Sequence, residues 1–179
     1  TMTNQVFVLF AGYSRTEDAG VMYANCSCSL IRTHSGKNII VDTMTAWDGD
    51  KIKQALTLHN LLPENIHIVV CTHGHSDHTG CNYLFQNAEM HLTGGSISQR
   101  DKYMEWDFEK SNFSLDGNSV EVVKTPGHTL QCTSVLVRNS QYGEVLGICG
   151  DLFERLEDVK NESLWLEAGS EDPKEQRKQ

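Results

Sequence analysis

The stretch THGHSDHTG at residues 72–80 closely follows the apolar run IHIVV at residues 66–70. Four of its side chains are potential metal ligands, namely His73, His75, Asp77 and His78. Imidazole and carboxylate groups are ligands that suit zinc. A single turn histidine is more often solvated or hydrogen-bonded than a ligand, but H-x-H-x-D-H spacing is hard to obtain by accident. The stretch therefore predicts a metal site in a loop that follows a buried strand.

Two later segments repeat this order of a strand, a turn and a ligand side chain. TPGHT at residues 125–129 follows the strand-like VEVVK and presents His128 on a Pro-Gly turn. GICGD places Asp151 at the end of another predicted strand. A turn histidine or a strand-terminal aspartate is common when taken alone. Their shared placement at strand ends predicts that they converge with the loop at residues 72–80.

The predicted elements suit a layered α/β domain with packed sheets. A helix is expected over residues 51–60, KIKQALTLHN, with Asp50 as its N-cap. Early strands separated by a tight turn at residues 34–37 predict an antiparallel meander. Strands are predicted at residues 5–10, 27–32, 38–41, 66–70, 89–92, 120–124, 133–138 and 144–150.

Length and composition favour one globular domain over residues 1–179, because 39% of the residues are apolar. No run approaches the roughly 18 apolar residues of a membrane span, and the early VFVLF lacks a basic flank and a cleavage site. We therefore expect a soluble, unsecreted protein with no membrane partner. The formal net charge of -9 repels polyanions, so any nucleic-acid binding has to be argued from the site itself.

The chain has six cysteines and no C-x-x-C pair, which favours reduced and mostly buried thiols. Cys26 and Cys28, in NCSCSL, are the pair that raises the alternative of a second zinc site. Strand alternation places both on the same face as small packing residues. Because C-x-C alone is a weak motif, we interpret these two cysteines as core residues.

The motifs HGHSDH, PGHT and GD occur in the same order as in the metallo-beta-lactamase superfamily, which the chain resembles over most of its length. The resemblance implies an αββα sandwich with a metal site at one edge of the packed sheets. Transferred residue by residue, it implies a first zinc ion held by His73, His75 and His128. It also implies a second held by Asp77 and His78, with Asp151 bridging the two.

Such a pair of ions implies hydrolysis. Zinc lowers the pKa of bound water to about 7, and two ions about 3.5–4 Å apart can share a hydroxide. That hydroxide would attack a carbonyl carbon or phosphorus, and Asp77 would orient it or accept its proton as the catalytic residue. Thr72 and Thr129 lie beside predicted ligands and are candidates for contacting them, although solvated turn hydroxyls are the simpler interpretation.

One departure from the family pattern concerns a seventh ligand, a histidine on a late strand. This chain has no histidine after His128, and its other histidines, His34, His59, His67 and His91, are interpreted as ordinary turn, helix or strand residues. The final SEDPKEQRKQ has Ser170 as a potential N-cap and Pro173 in the first turn, so a helix is expected to begin there. We therefore expect a domain that is incomplete at the C-terminus, lacking its last strand and helix, with a weakened second zinc site.

Segments beyond the ligands are similar to those of a small animal member of the superfamily; they are NCSCSLI, NIIVDTMTAWDG, THGHSDHTGCNYLF, TPGHTLQCTSVLV, GDLFE and SEDP. This resemblance implies a zinc-dependent endoribonuclease that processes the 3′ end of histone pre-mRNA, with RNA as substrate. It further implies a homodimer in the cytosol and nucleus. Two alternatives remain open: a small-molecule ester, thioester or lactone hydrolase, and a non-catalytic shortened isoform. Metal stoichiometry would separate the last from an intact enzyme.

Overall fold

The fold is described from a computed structural model, which describes residues 3–18 and 20–179. The strands within these ranges are β1 (Gln5–Phe10), β2 (Tyr13–Thr16), β3 (Met22–Asn25), β4 (Cys28–Arg32), β5 (Asn38–Val41), β6 (Ile68–Cys71), β7 (Met90–Thr93), β8 (Ser96–Gln99), β9 (Lys102–Met104), β10 (Phe113–Asp116), β11 (Val120–Lys124), β12 (Thr133–Ser140) and β13 (Gly143–Ile148). The α-helices are α1 (Gly49–Leu58), α2 (Ser76–Thr79), α3 (Ser163–Ala168) and α4 (Pro173–Gln176). Short 3-10 turns cover Pro63–Asn65, Asn82–Leu84, Gly150–Leu152 and Leu156–Val159.

The strands form two main sheets and one hairpin. The larger sheet has the order β1-β4-β5-β6-β7-β8-β9, and the smaller has the order β10-β11-β12-β13. Pairing is antiparallel except between β5 and β6 and between β6 and β7, which run parallel. A separate hairpin of β2 and β3 interrupts the early meander. Because β5 and β6 are parallel, the loops that follow them leave the sheet at the same edge.

Two apolar layers hold this arrangement together. One lies between the sheets and includes Ile39, Val41 and Val70 from the larger sheet and Val122 from the smaller. Because successive side chains of a strand point to opposite faces, Ile40 and Val69 face the other way. There they pack in a second cluster with Ile52 and Leu56 of α1. The layers are therefore helix, sheet and sheet, with the apolar core running on both faces of the larger sheet.

The structure contains every predicted strand to within a few residues and corrects both helix starts. Helix α1 covers Gly49–Leu58 rather than residues 51–60, and Asp48 rather than Asp50 occupies the N-cap position. Helix α4 is capped by Asp172, whose side chain accepts from the backbone of Lys174 and Glu175, rather than by Ser170. Strands β2, β3, β8, β9 and β10 were not predicted.

The longest helix among residues 3–18 and 20–179 is α1, with ten residues. No helix in these ranges is long and apolar enough to cross a membrane.

Candidate metal centre

Four ligand atoms from three loops converge at the edge of the sandwich. His75 Nδ1 lies 2.8 Å from His73 Nε2 and 3.1 Å from His128 Nε2. Asp151 Oδ2 lies 3.4 Å from His128 Nε2 and 3.8 Å from His73 Nε2. Bonds of about 2.0–2.1 Å to a tetrahedral zinc ion would separate the ligand atoms by roughly 3.4 Å. The measured separations bracket that value, so these four residues fit one tetrahedral ion.

The elements explain why these side chains meet. His73 and His75 follow β6, His128 lies in the turn between β11 and β12, and Asp151 follows β13. A backbone hydrogen bond from Thr133 N to Thr72 O, 2.8 Å long, ties the larger sheet to the smaller at this edge. The four side chains therefore lie where strands of both sheets end, which is the placement that the sequence predicted for these loops.

Contacts behind the ligands orient their rings. His128 Nδ1 lies 2.8 Å from the Gly169 carbonyl oxygen, to which its N–H can donate, so Nε2 faces the other ligands. The segment after α3 is fastened to the same turn, because Glu171 N donates to His128 O and Asp172 N donates to Gly127 O. Thr72 Oγ1 lies 3.2 Å from His73 Nδ1, whereas Thr129 Oγ1 instead contacts Cys132 Sγ. Of the two threonines considered from sequence, Thr72 therefore touches a predicted ligand directly.

His78 belongs to an adjoining group. Its Nδ1 lies 3.0 Å from Asp42 Oδ2, and its Nε2 lies 3.2 Å from Asp151 Oδ1 and 3.9 Å from Asp77 Oδ2. The Asp151 contact lacks hydrogen-bond geometry, so His78 Nε2 is buried without a hydrogen-bond partner. An orphaned buried nitrogen that faces two carboxylates is the geometry expected of a metal ligand whose ion is removed. Asp77 and Asp151 thus both lie close to His78, and the second ion that these three residues would hold stays a prediction.

Asp42 was not singled out in the sequence, although it follows a strand just as Asp151 does. Its carboxylate accepts hydrogen bonds from Thr72 N at 2.7 Å and Thr72 Oγ1 at 3.0 Å, besides contacting His78. Asp42 has a φ of 60°, in the left-handed region that non-glycine residues rarely adopt. Strain of this kind concentrates at functional sites. The acid at the end of NIIV was the sequence signal that could have identified it.

The electrostatics separate the two groups. Burial, with the neighbouring His78, lowers the pKa of His73 to about 3, and burial also lowers the pKa of His75. Burial would lower the pKa of His78 too, but the Asp42 carboxylate and then Asp151 outweigh it and raise that pKa to about 11. His73 and His75 are therefore neutral, which is the form that binds metal. The carboxylates of Asp42 and Asp151 favour positive charge at His78, which a bound metal ion would supply in place of a proton.

Two glycines lie where loops around the metal centre approach neighbouring segments closely. Gly150 has a φ of +54°, and a Cβ there would lie 2.3 Å from Thr72 Oγ1. A Cβ at Gly80 would lie 2.2 Å from the Ala46 backbone nitrogen. Only a residue without a side chain fits at either position.

The remaining histidines make other contacts, in agreement with their interpretation from sequence. His34 lies beside Asn4, and His59 packs against Phe7. His67 Nδ1 accepts from Asn38 N, and His91 Nε2 lies 3.0 Å from the Phe85 carbonyl oxygen. None of these four stands in for a further ligand among the described residues.

A cavity of about 550 Å³ opens beside the ligands, between β1, the β2-β3 hairpin and β13. Its floor includes Asp42, Asp77, His78 and Asp151, and Glu154 adds a further carboxylate. Its walls include Val8, Tyr13, Tyr142, Leu146, Ile148 and Phe153. Among the described residues that line it, none is lysine or arginine. The cavity is thus apolar and acidic.

Comparison with known proteins identifies the family. The family model for the metallo-beta-lactamase superfamily matches residues 23–174. The chain belongs to the metallo-beta-lactamase superfamily. It is 37% identical over 175 residues to metallo-beta-lactamase domain-containing protein 1 of Xenopus laevis, covering 97% of this chain and 72% of that protein. The mouse protein of the same name is 36% identical over 141 residues, covering 78% of this chain and 52% of the mouse protein.

Solved structures confirm the expected metallo-beta-lactamase fold. One N-acyl homoserine lactone hydrolase, with the product N-hexanoyl-L-homoserine bound at its catalytic metal centre, superposes with a TM-score of 0.67 at 16% identity. The match covers 99% of this chain and 86% of that chain. The α/β sandwich predicted from the motifs is therefore confirmed. Membership of a superfamily of metal-dependent hydrolases, together with His73, His75, His128 and Asp151, indicates a metal ion.

Proposed function

We propose that this chain is a zinc-dependent hydrolase. The observation that carries the proposal is the convergence of four ligand atoms, from His73, His75, His128 and Asp151, beside an open cavity. Three imidazoles and one carboxylate form the nitrogen and oxygen set that zinc accepts in tetrahedral sites. The adjoining His78, Asp77 and the second oxygen of Asp151 would hold a second ion.

The chain's own residues have distinct parts in this proposal. When bound, zinc would polarise a carbonyl or phosphoryl oxygen and lower the pKa of a coordinated water. Asp77, whose side chain is 20% exposed, lies in the cavity floor and can accept a proton from the attacking nucleophile. Asp42 keeps Nδ1 of His78 engaged, so Nε2 stays directed at the cavity.

For the substrate, our first candidate is RNA, with the chain acting as an endoribonuclease at the 3′ end of histone pre-mRNA. Its support is the resemblance to a small animal member of the superfamily, which extends beyond the ligands to NCSCSLI and TAWDG. A homodimer in the cytosol and nucleus belongs to the same proposal. The chain spans between about half and about three quarters of the relatives described above, so the activity of those whole proteins is carried over only as a proposal.

The cavity supplies a specific observation for a second candidate, a neutral ester, thioester or lactone. A phosphodiester backbone is usually held by lysine and arginine, and no described lining residue is of either type. The walls instead offer Val8, Leu146 and Phe153 to an apolar group. A short acyl chain would match this surface without charge repulsion.

One assay separates these candidates. The zinc-loaded chain and its chelated form would be given a histone pre-mRNA 3′-end fragment, an unrelated single-stranded RNA, a thioester and a lactone. Zinc-dependent cleavage of the histone fragment alone would support the first candidate, and turnover of the thioester or lactone alone would support the second. No turnover despite bound zinc would favour a non-catalytic protein. Failure to bind any zinc would overturn the hydrolase proposal.

A further inference from the structure

Glu154 is a carboxylate of the cavity to which the proposed hydrolysis assigns no part. It follows the 3-10 turn at Gly150–Leu152 and lines the same cavity as Asp77. Its Oε2 accepts a hydrogen bond from Ser14 Oγ of β2 at 2.8 Å. Its backbone N–H donates to the buried Asp158 carboxylate, which also accepts from the next amide. Glu154 is therefore held both by the β2-β3 hairpin and by the chain that follows it.

No lysine, arginine or histidine nitrogen of the described residues forms an ion pair with Glu154. Burial raises the pKa of its carboxyl group, the Ser14 hydrogen bond acts against burial, and the charge of Asp151 raises the pKa further. The chain thus holds a partly desolvated negative charge in the field of another carboxylate. Such a charge costs free energy, which a positively charged ligand would offset.

The metal ions of the proposed function would not supply that positive charge. Two zinc ions would be balanced by the carboxylates of Asp42, Asp77 and Asp151 together with the attacking hydroxide. The histidine ligands bind metal as neutral rings. Among the described residues that line the cavity, Glu154 is then the one carboxylate in excess of the positive charge.

Aromatic side chains accompany Glu154 in the cavity wall. Phe153 directly precedes Glu154 in the sequence, and Tyr13 directly precedes the hydrogen-bond donor Ser14. Both aromatic residues line the cavity together with Tyr142, and all three are exposed. An aromatic ring attracts a cation that lies over its face within about 6 Å of the ring centre. A carboxylate among aromatic walls, in a cavity with no lysine or arginine among its described lining residues, therefore suits an alkylammonium group.

We propose that Glu154 makes the cavity selective for ester, thioester or lactone substrates that carry an ammonium group. The inference rests on the proposed function and develops its second candidate. The ammonium group lies against the Glu154 carboxylate and the aromatic walls while the acyl bond lies at the metal centre. Glu154 neither gives nor takes a proton, so it acts on substrate binding and not on bond cleavage. An RNA backbone, with a negative charge on each phosphate, is repelled at the same place.

Ligand binding to the wild-type chain tests the inference without turnover and without a variant that could misfold. The zinc-loaded chain would be titrated with choline and with 3,3-dimethyl-1-butanol, in which carbon replaces the charged nitrogen, and binding would be followed by NMR. The two alcohols have nearly the same shape, so they differ chiefly in charge. Choline should bind roughly 5–30-fold more tightly. Equal affinities, or tighter binding of the uncharged alcohol, would overturn the inference.

Glu154→Gln and the matched Glu144→Gln locate the charge that is responsible. Glutamine at position 154 keeps an oxygen to which Ser14 can donate, so a purely structural role of Glu154 would leave the preference for choline unchanged. We expect Glu154→Gln to bind the two alcohols equally. Glu144 is exposed and lies outside the cavity lining, so Glu144→Gln should keep the wild-type preference. A preference that survives in Glu154→Gln, or that disappears in Glu144→Gln, would refute the assignment.

Hydrolysis of the acetyl esters of the same two alcohols separates this inference from the proposed function. In the wild-type chain the choline ester should have the lower KM at a similar kcat, and Glu154→Gln should abolish the difference in KM. Zinc-dependent turnover of both esters with equal KM would overturn the role of Glu154 and leave the hydrolase proposal intact. Tighter binding of choline without turnover of either ester would support Glu154 as the ammonium site and count against the second candidate function.

Discussion

The Asp42 carboxylate lies 3.0 Å from Nδ1 of His78, and this contact decides which ring nitrogen faces the cavity. Asp42 also accepts from the backbone and hydroxyl of Thr72, so it is fixed from two sides. An imidazole whose Nδ1–H is donated to a carboxylate keeps the lone pair of Nε2 for a metal. The orientation of His78 therefore depends on a residue that would not itself need to touch the ion.

Asp42→Asn tests this dependence. An asparagine amide can donate to Nδ1 and shift the proton to Nε2, which would block the ligand atom. We expect a loss of roughly 10–100-fold in affinity for the second ion, with the first retained. Isothermal titration with zinc measures both steps. The control Asp50→Asn, at a carboxylate that is 88% exposed, should behave as wild type, and equal affinities for all three chains would contradict the role of Asp42.

His128→Ala should remove the first ion. Its Nε2 lies 3.1 Å from His75 Nδ1, and no described histidine outside the two groups is free to replace it. The fall in zinc affinity should exceed the roughly 10–100-fold that loss of an outer contact costs. Metal analysis of the dialysed protein gives the readout, with His34→Ala as an exposed matched control. Wild-type zinc content in His128→Ala would exclude His128 as a ligand.

Asp77→Asn should separate chemistry from folding. The side chain lines the cavity and lies 3.9 Å from His78 Nε2, and the proposed function makes it the proton acceptor. Removing a general base typically costs about 10²–10⁴-fold in turnover. The variant should keep its melting temperature and the zinc held by His73, His75 and His128. Asp107→Asn, far less buried, serves as control, and unchanged turnover in Asp77→Asn would remove Asp77 from the mechanism.

Gly150→Ala and Gly117→Ala form a matched pair. The two glycines have φ values of +54° and +55°, but only at Gly150 would a Cβ meet another atom within 4 Å. Gly117→Ala should cost about 1 kcal/mol of unfolding free energy through backbone strain alone. Gly150→Ala should cost a further 1–3 kcal/mol, roughly, because it pushes against Thr72. Chemical denaturation measures the difference, and equal losses would show that the close approach is unimportant.

The lowered pKa of Asp48 predicts that the protein loses stability in acid. Burial would raise its pKa, but hydrogen bonds from Lys51, Thr45 and Asn25 outweigh burial and lower the pKa from 3.8 to about 2. A lowered pKa means that the contribution to stability is complete above about pH 4 and is lost as the pH falls towards 2. Asp48→Asn should therefore be about 1–3 kcal/mol less stable at neutral pH, with the difference shrinking in acid. The exposed Asp50→Asn is the control, and a difference independent of pH would contradict the assignment.

The sequence was most informative where ligands cluster within a few residues. His73, His75 and His78 could be predicted to converge because they share one loop after one buried strand. The contribution of Asp42 depends on the parallel pairing of β5 with β6, which brings Asp42 beside Thr72 and which the local pattern does not encode. Cys26 and Cys28 were predicted to be core residues, and both are buried in the apolar cluster on the helix side of the larger sheet.

The strands that were not predicted are short, and their pairing explains them better than their composition does. Ser96–Gln99 and Lys102–Met104 carry polar residues that give no clear alternation, and they form strands because they add in turn to the edge at β7. The start of α1 shows a related limit. Asp48 and Asp50 are equivalent as caps in the sequence, and only the structure shows the Asp48 carboxylate engaged with Thr45, Asn25 and Lys51.

The bond between His128 and the Gly169 carbonyl joins the metal centre to the segment at residues 169–172. Thermodynamic linkage makes that connection work in both directions: metal binding stabilises the segment by the same free energy with which the ordered segment strengthens metal binding. The amides of Glu171 and Asp172, which donate to the turn at residues 127–128, should exchange with solvent more slowly once metal is bound. An antibody that binds this segment in a displaced conformation, or a protease that cleaves it, would consequently promote release of the ion without entering the cavity.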